Sequence, residues 1–386
     1  MDKNYSILRL IKTSLWGAEA GEVTQEDYEE MRFHTIQALP ASVLSALKMP
    51  EPLRHRWKKD ILQQISYSVN YRYVQDNLPV QVPYVVLKGS SAAQYYPNPE
   101  YRIMGDIDIM TRREDFSTAY RQLVDNNFLV QKETEREICF SKNGVIIELH
   151  RFFASLNQPS QSQYLDELII DNINPAHVLP DMVNGLVILE HISQHLEHGL
   201  GLRQIVDWMM FVDKCLMDND KWYIFQDMAQ RIGLKNLAII STRMCEIYLG
   251  LPEHEWCSGA NISVCDQFMD YVISCGNFGN KWGNEKDVGQ TVFSYIRNPI
   301  AAYKWFQERG LINWKATKRF PFLRPFAWIY QACRYAKRGI IQEGSTTAIK
   351  DEFVLAQKRV RLFETLGVKQ RSKGLVVYRN GKYVKK

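Results

Sequence analysis

Apolar residues recur at helical spacing through the first 78 positions, and the period changes abruptly at "VPYVVLKG". Before that point, "TQEDYEEMRFHTIQAL" opens with Thr24 and a run of acids, the pattern of a helix N-terminus. "LRHRWKKDILQQISYSVNYRYVQDNL" continues the helical spacing and stops short of Pro79. Residues 82–87 are a short apolar run bounded by proline and glycine, which predicts a buried strand. "RIMGDIDIMT" predicts a second strand, "EDFSTAYRQLVDNNF" a helix from about Glu114, and "FLVQKE", "REICFSK" and "GVIIELHRFF" three more strands. Asn143-Gly144 between the last two is a two-residue hairpin signal.

From about 160 to 345 the helical period returns. "DMVNGLVILEHISQHLEHGL", "GLRQIVDWMMFVDKCLMD", "KWYIFQDMAQRIG" and "LKNLAIISTRMCEIYLG" each read as an amphipathic helix. Residues 256–286 are less regular and rich in glycine and asparagine, which predicts loops, and "GLVVYRNGKYVKK" predicts a terminal hairpin about Asn380-Gly381. The pattern divides the chain into an N-terminal helical segment (1–80), an α/β core (81–158), a helical domain (159–345) and a basic tail (346–386). The expected fold class is α+β: a small sheet with flanking helices and a mostly helical C-terminal region.

Composition narrows the classes. A chain of 386 residues with 46% hydrophobic residues holds globular cores rather than a fibre or a disordered tail. No apolar run approaches the roughly 18 residues of a spanning helix, and the N-terminus lacks the long apolar region of a signal peptide. Seven scattered cysteines without a CxxC pair fit reduced thiols, hence a cytoplasmic setting. The net charge of +5 hides an asymmetry: residues 301–386 hold 20 lysines and arginines against 5 acids, and the remainder holds 28 against 38. A solvated tail accounts for this. So does contact of 301–386 with an anionic membrane, at its inner face, or with nucleic acid, and the aromatics of "KATKRFPFLRPFAW" would serve that contact.

Two carboxylates interrupt the second predicted strand. Side chains alternate across a strand, so Asp106 and Asp108 share one face while Ile107 and Ile109 pack the other. Carboxylates at that spacing can converge on metal ions about 3.5–4 Å apart, the requirement of two-metal phosphoryl transfer. Magnesium suits such a site because it takes few carboxylates and completes its shell with water and phosphate. Glu148, on one face with His150, is a third acid within reach. Gly89-Ser90 stands where the first strand turns into a helix, a position whose free N–H groups bind phosphate. The competing readings are an aspartate pair at a strand end neutralised by Arg112 and Arg113, a salt-bridged Glu148, and Lys88 reaching for water. His191, His195 and His198 lie on one helix face. There is no HExxH motif, so interior hydrogen bonding competes with zinc ligation. Serine-nucleophile chemistry has no GxSxG to support it.

An apolar strand, Gly-Ser opening a helix, Asp-x-Asp on the next strand and a later acid together resemble the DNA polymerase β-like nucleotidyltransferase superfamily. More closely, Leu87-Lys88-Gly89, Arg102 ahead of Asp106-Ile107-Asp108-Ile109, Glu148-Leu149-His150, His191 with His195, and Arg203 with Asp207 resemble a bacterial branch known as an uncharacterised nucleotidyltransferase family. The resemblance spans about residues 80–215. It implies a minimal polymerase β-like sheet and Mg²⁺-dependent transfer of a nucleoside monophosphate from a nucleoside triphosphate to an acceptor hydroxyl, releasing pyrophosphate. It implies two magnesium ions on Asp106, Asp108 and Glu148, with Glu148 assisting deprotonation of the acceptor. Gly89 and Ser90 would hold the β- and γ-phosphates and Lys88 and Arg102 would contact phosphate, with His150, His195 and Arg203 behind them. The acceptor is open among a small molecule, a saccharide-linked group and a macromolecule; members often lie beside surface-polysaccharide genes, which suggests the second. The long "YYPNPEY" stretch and a glutamate where aspartate is usual motivate a second hypothesis, a nucleotide-binding regulator with an impaired site. An adaptor working through the basic C-terminal third is a third.

Overall fold

The computed structural model describes residues 6–196, 198–281, 299–342, 346–368, 376–379 and 381–385. The chain forms two compact units: residues 1–281 with 366–368 and 375–386, and residues 282–365 with 369–374.

The first unit opens with α1 (Ser6–Trp16), α2 (Gln25–Phe33) and the long α3 (Glu51–Asp76). Thr24 caps α2 as its sequence predicts: its hydroxyl accepts from the Asp27 N–H, and the Asp27 carboxylate accepts from the Thr24 N–H at 2.8 Å. The chain then enters β1 (Tyr84–Leu87), the one-turn α4 (Gly89–Ala93), β2 (Asp106–Thr111), α5 (Phe116–Asp125), β3 (Leu129–Glu133), β4 (Glu137–Lys142) and β5 (Val145–His150). The predicted second strand is shorter than its apolar pattern, because residues 102–105 do not join the ladder. The sheet order is β1-β2-β5-β4-β3, with β2 and β5 parallel and the other neighbours antiparallel. Asn143 and Gly144 both take positive φ, 53° and 77°, the conformation a tight hairpin of right-handed twist needs. One face of the sheet carries Ile107, Ile109, Ile147, Leu149, Ile138 and Phe140 into a core with Tyr71 and Val74 of α3 and Ala119 and Leu123 of α5. The acids therefore face the opposite way.

That opposite side meets a helical layer: α6 (Pro159–Asp171), α7 (Asp181–Leu196), α8 (Leu202–Cys215), α9 (Asn219–Arg231), α10 (Lys235–Leu249) and α11 (Ile262–Cys275). Helix α7 is buried over most of its surface, so it reads as apolar rather than amphipathic. Helix α11 lies inside the stretch expected to be loops, because Asn261 caps it through a side chain that accepts from the Ser263 N–H. The paired strands β6 (Val376–Arg379) and β7 (Lys382–Lys385) form the expected terminal hairpin, of which Asn380 lies outside the described residues. This hairpin packs on Phe152, and the Tyr383 hydroxyl donates to Asp166. In the second unit, helices Pro299–Asn313 and Ala327–Gln342 pack as a pair, with Trp314 and Tyr330 stacked at 4.9 Å. Among the described residues no helix is long and apolar enough to cross a membrane.

Buried His34 links α2 to α8, its Nδ1 accepting from the Leu202 N–H at 3.2 Å. Burial, aided by Lys281, pushes its pKa down to about 3. The unfolded chain takes up this proton below about pH 6.5 and the folded chain only near 3. The stability His34 contributes is thus complete above pH 6.5 and is lost progressively as pH falls towards 3. His34→Gln keeps an acceptor for Leu202 but cannot titrate, so urea unfolding should show a shallower acid limb. The slope removed is up to about 1.4 kcal/mol per pH unit.

Candidate active site

Strand register places the acids. In the parallel pair Asp108 is the partner of Glu148, and in the antiparallel pairs Glu148 faces Cys139, His150 faces Glu137 and Leu87 faces Asp108. Leu87, Asp108, Glu148 and Cys139 thus form one row across the sheet, with Asp106 beside the row on β2. Neighbouring strands stand about 4.8 Å apart, close enough for the carboxylates to feel one another. Asp106, Glu148 and His150 line a cavity of about 220 Å³, facing His191, His195 and Arg203 of α7 and α8.

Asp108 is fully buried. Its Oδ1 accepts from Lys88 Nζ at 2.6 Å and lies 2.7 Å from His150 Nε2, while its Oδ2 has no hydrogen-bond partner. Burial, with Asp106 adding to it against Lys88, pushes the Asp108 pKa up to about 7. Burial and then the charges of Asp108 and Asp106 raise Glu148 to about 7 as well. Burial works the same way on Asp106, but Lys88, Arg203 and His150 outweigh it and hold that group below the ordinary range. His150 is driven down to about 3 by burial and then by Lys88, so its ring is neutral. Three carboxylates thus crowd around Lys88, and two of them are pushed towards the protonated form.

A divalent cation would remove that conflict, and the donors fit one. Ligand atoms of Asp108, Glu148 and His150 all lie within 4.8 Å of one another, and the Asp108 Oδ2 is a buried acceptor with nothing to accept from. Carboxylate oxygens are the donors magnesium prefers; the histidine nitrogen also suits manganese or zinc. The grouping differs from the sequence expectation in one respect: His150 stands with Asp108 and Glu148, and Asp106 lies outside that group on the cavity wall.

The remaining candidates divide. Gly89 lines the cavity at φ +27°, and a Cβ there would sit 2.6 Å from the Tyr71 hydroxyl, which donates to the Asp106 carbonyl at 2.6 Å. Gly89→Ala should therefore cost about 1–3 kcal/mol in urea unfolding, because Tyr71 must leave the Asp106 backbone or α4 must shift. Ser90 is not among the residues lining the cavity; its hydroxyl donates to Gln75 Oε1 at 2.6 Å. Arg102 borders the cavity but its guanidinium grips Asp207 at 2.8 and 2.7 Å, and Tyr96 donates to the same carboxylate at 2.7 Å. Arg203 donates to the Ile103 carbonyl at 3.2 Å and keeps a buried Nε with no hydrogen-bond partner. The Nε2 atoms of His191 and His195 lie 2.9 Å apart.

Arg136, Glu137, Gln194 and Phe278 also line the cavity and escaped the sequence reading. The first two were reachable: counting outward from the Asn143-Gly144 turn pairs Lys142 with Val145 and so Glu137 with His150. Gln194 shares a helix with His191 and His195, and nothing in the sequence marks Phe278.

A family model described as uncharacterised nucleotidyltransferase matches residues 25–250. No curated protein and no solved structure matches the chain.

Proposed function

The chain belongs to the uncharacterised nucleotidyltransferase family, and from that premise we propose that it moves a nucleoside monophosphate from a nucleoside triphosphate to an acceptor hydroxyl, releasing pyrophosphate. The observation that carries this reading is the pair Asp108 and Glu148, paired in register and both pushed up to about 7, beside the Asp108 Oδ2 that has no hydrogen-bond partner. Burial and the charge of Asp106 raise Asp108; burial and the charges of Asp108 and Asp106 raise Glu148. Asp106, Asp108 and Glu148 would hold magnesium, with His150 at the edge of the set. Bound there, the metal would polarise the α-phosphate and ease ionisation of the acceptor hydroxyl. Lys88 neutralises Asp108 meanwhile, and its ammonium is free to turn to a phosphate oxygen once a metal takes its place. Arg203, which lines the same cavity and keeps a buried Nε with no hydrogen-bond partner, suits a phosphate better than Arg102, whose Nε and Nη2 are taken by Asp207. Gly89 keeps the backbone at the cavity wall free of a side chain, which leaves room there for an outer phosphate. A volume of 220 Å³ is below the roughly 300–1,000 Å³ of pockets that enclose a whole ligand, so it suits the phosphate end of a nucleotide.

The test is pyrophosphate release from each of the four nucleoside triphosphates with Mg²⁺, across small hydroxylated compounds, saccharides and macromolecular acceptors. One observation favours a second reading, nucleotide binding without turnover: Asp108 is fully buried and engaged by both Lys88 and His150. Stabilisation by Mg²⁺-nucleotide with no pyrophosphate from any acceptor would select that reading.

A further inference from the structure

Beyond the family match, at the rim of the cavity, residues 276–279 hold an aromatic ring in an unusual way. Phe278 takes φ 55° and ψ 28°, left-handed backbone that bulky side chains rarely adopt, and its side chain is 61% exposed. Its neighbours are the reverse. Asn277 is buried, accepting from Gln204 Nε2 and donating to Thr35 Oγ1, both at 2.9 Å. The Phe278 N–H donates to the Gly199 carbonyl at 3.1 Å. Gly199 itself is at φ +105°, where a Cβ would lie 2.1 Å from the Gly279 nitrogen. These anchors force the strained conformation, and the apolar ring gains little burial from it. Strain sustained by surrounding contacts around an exposed side chain is a mark of function rather than of packing. The ring stands edge-on to His195 at 4.7 Å, and both line the cavity that holds Asp106 and Glu148.

We propose that Phe278 is the platform on which the nucleobase of the substrate stacks, with the triphosphate directed inward to Lys88 and Arg203. This rests on the nucleotidyltransferase reading above and adds the base subsite to it. The chemistry fits: the cavity is too small for a whole nucleotide and is lined by charge, so the base must lie at the rim, where an open aromatic face is held in place. Stacking is tolerant of base identity because every base has a π-face, so the platform contributes affinity and leaves the choice of base to other groups.

The experiment titrates ATP, CTP and inorganic tripolyphosphate, each with Mg²⁺, into the full chain and its variants. Phe278→Ala should weaken both nucleotides by on the order of tenfold to a hundredfold and leave tripolyphosphate unchanged. Phe278→Asn should behave like alanine while suiting the left-handed backbone better, which separates loss of the ring from loss of the loop. Phe278→Trp should restore nucleotide affinity. Unchanged nucleotide affinity in both ring-less variants, or nucleotide and tripolyphosphate falling in parallel, overturns the platform and leaves the nucleotidyltransferase reading standing. If the wild-type chain binds neither nucleotide nor tripolyphosphate, both readings fall together.

Discussion

Asparagine at both Asp106 and Asp108 is expected to erase the thermal stabilisation that ATP with Mg²⁺ confers, and to lower pyrophosphate release on the order of a thousandfold. The stabilisation at stake is about 2.7 kcal/mol at a ligand concentration a hundred times Kd, large enough to read as a shift in Tm. The two positions have separate reasons to matter. Asp106 is the carboxylate held below its ordinary range and open to the cavity, so it is ionised and ready as a ligand. Asp108 is pushed up to about 7 by burial and by Asp106, and its buried Oδ2 has no hydrogen-bond partner. The ligand-free double variant should remain folded, because Lys88 keeps Glu148 within its electrostatic reach and the asparagine amides replace much of the lost polarity. Undiminished stabilisation of the double variant by Mg²⁺-ATP would sink the metal assignment, whatever else the cavity binds.

The largest effect on folding is expected at Asp207, where Asp207→Ala should cost about 3–5 kcal/mol in urea unfolding. Arg102 is 3% exposed, and Asp207 supplies both acceptors of its fork and one to Tyr96. Removing the carboxylate strands a guanidinium in the interior, the costly half of a buried ion pair. The double variant Arg102→Met with Asp207→Leu should recover much of the loss, since an apolar pair of similar volume carries no desolvation cost. If Asp207→Ala instead leaves stability unchanged and weakens tripolyphosphate binding, Arg102 acts on substrate and the ion pair is incidental.

How far the sequence carried can be judged residue by residue. Thr24 and Asp27 announced their cap, and Asn143-Gly144 announced its turn. The alternation of "DIDI" and "IIELH" declared which face is core and which is acidic, because these signals are local and the strand period is two. Fold class and family were legible for the same reason: a contiguous run carries Lys88, Gly89, Asp106, Asp108 and Glu148 in order. The assignment of partners was not legible. Arg102 sits just ahead of the acids in sequence and was read as a phosphate contact, yet Asp207, 105 residues downstream, takes its Nε and Nη2. Ser90 looked like a phosphate ligand, and α3 brings Gln75 to receive its hydroxyl.

The sequence by itself determined most of the elements, the core and acidic faces of the sheet and the family. Only the tertiary structure decided which charges meet. It set Lys88 and His150 on Asp108, tied Arg102 at the cavity border to Asp207, left Arg203 on the same cavity with an unpaired Nε, and placed Phe278 at the rim. The reason is the range of the forces involved. Periodicity, capping and turn preference act over a few neighbouring residues, and any sequence displays them. Desolvation and ion pairing depend on which distant segments are packed together, and that is settled when the helical layer of α7 and α8 closes over the sheet.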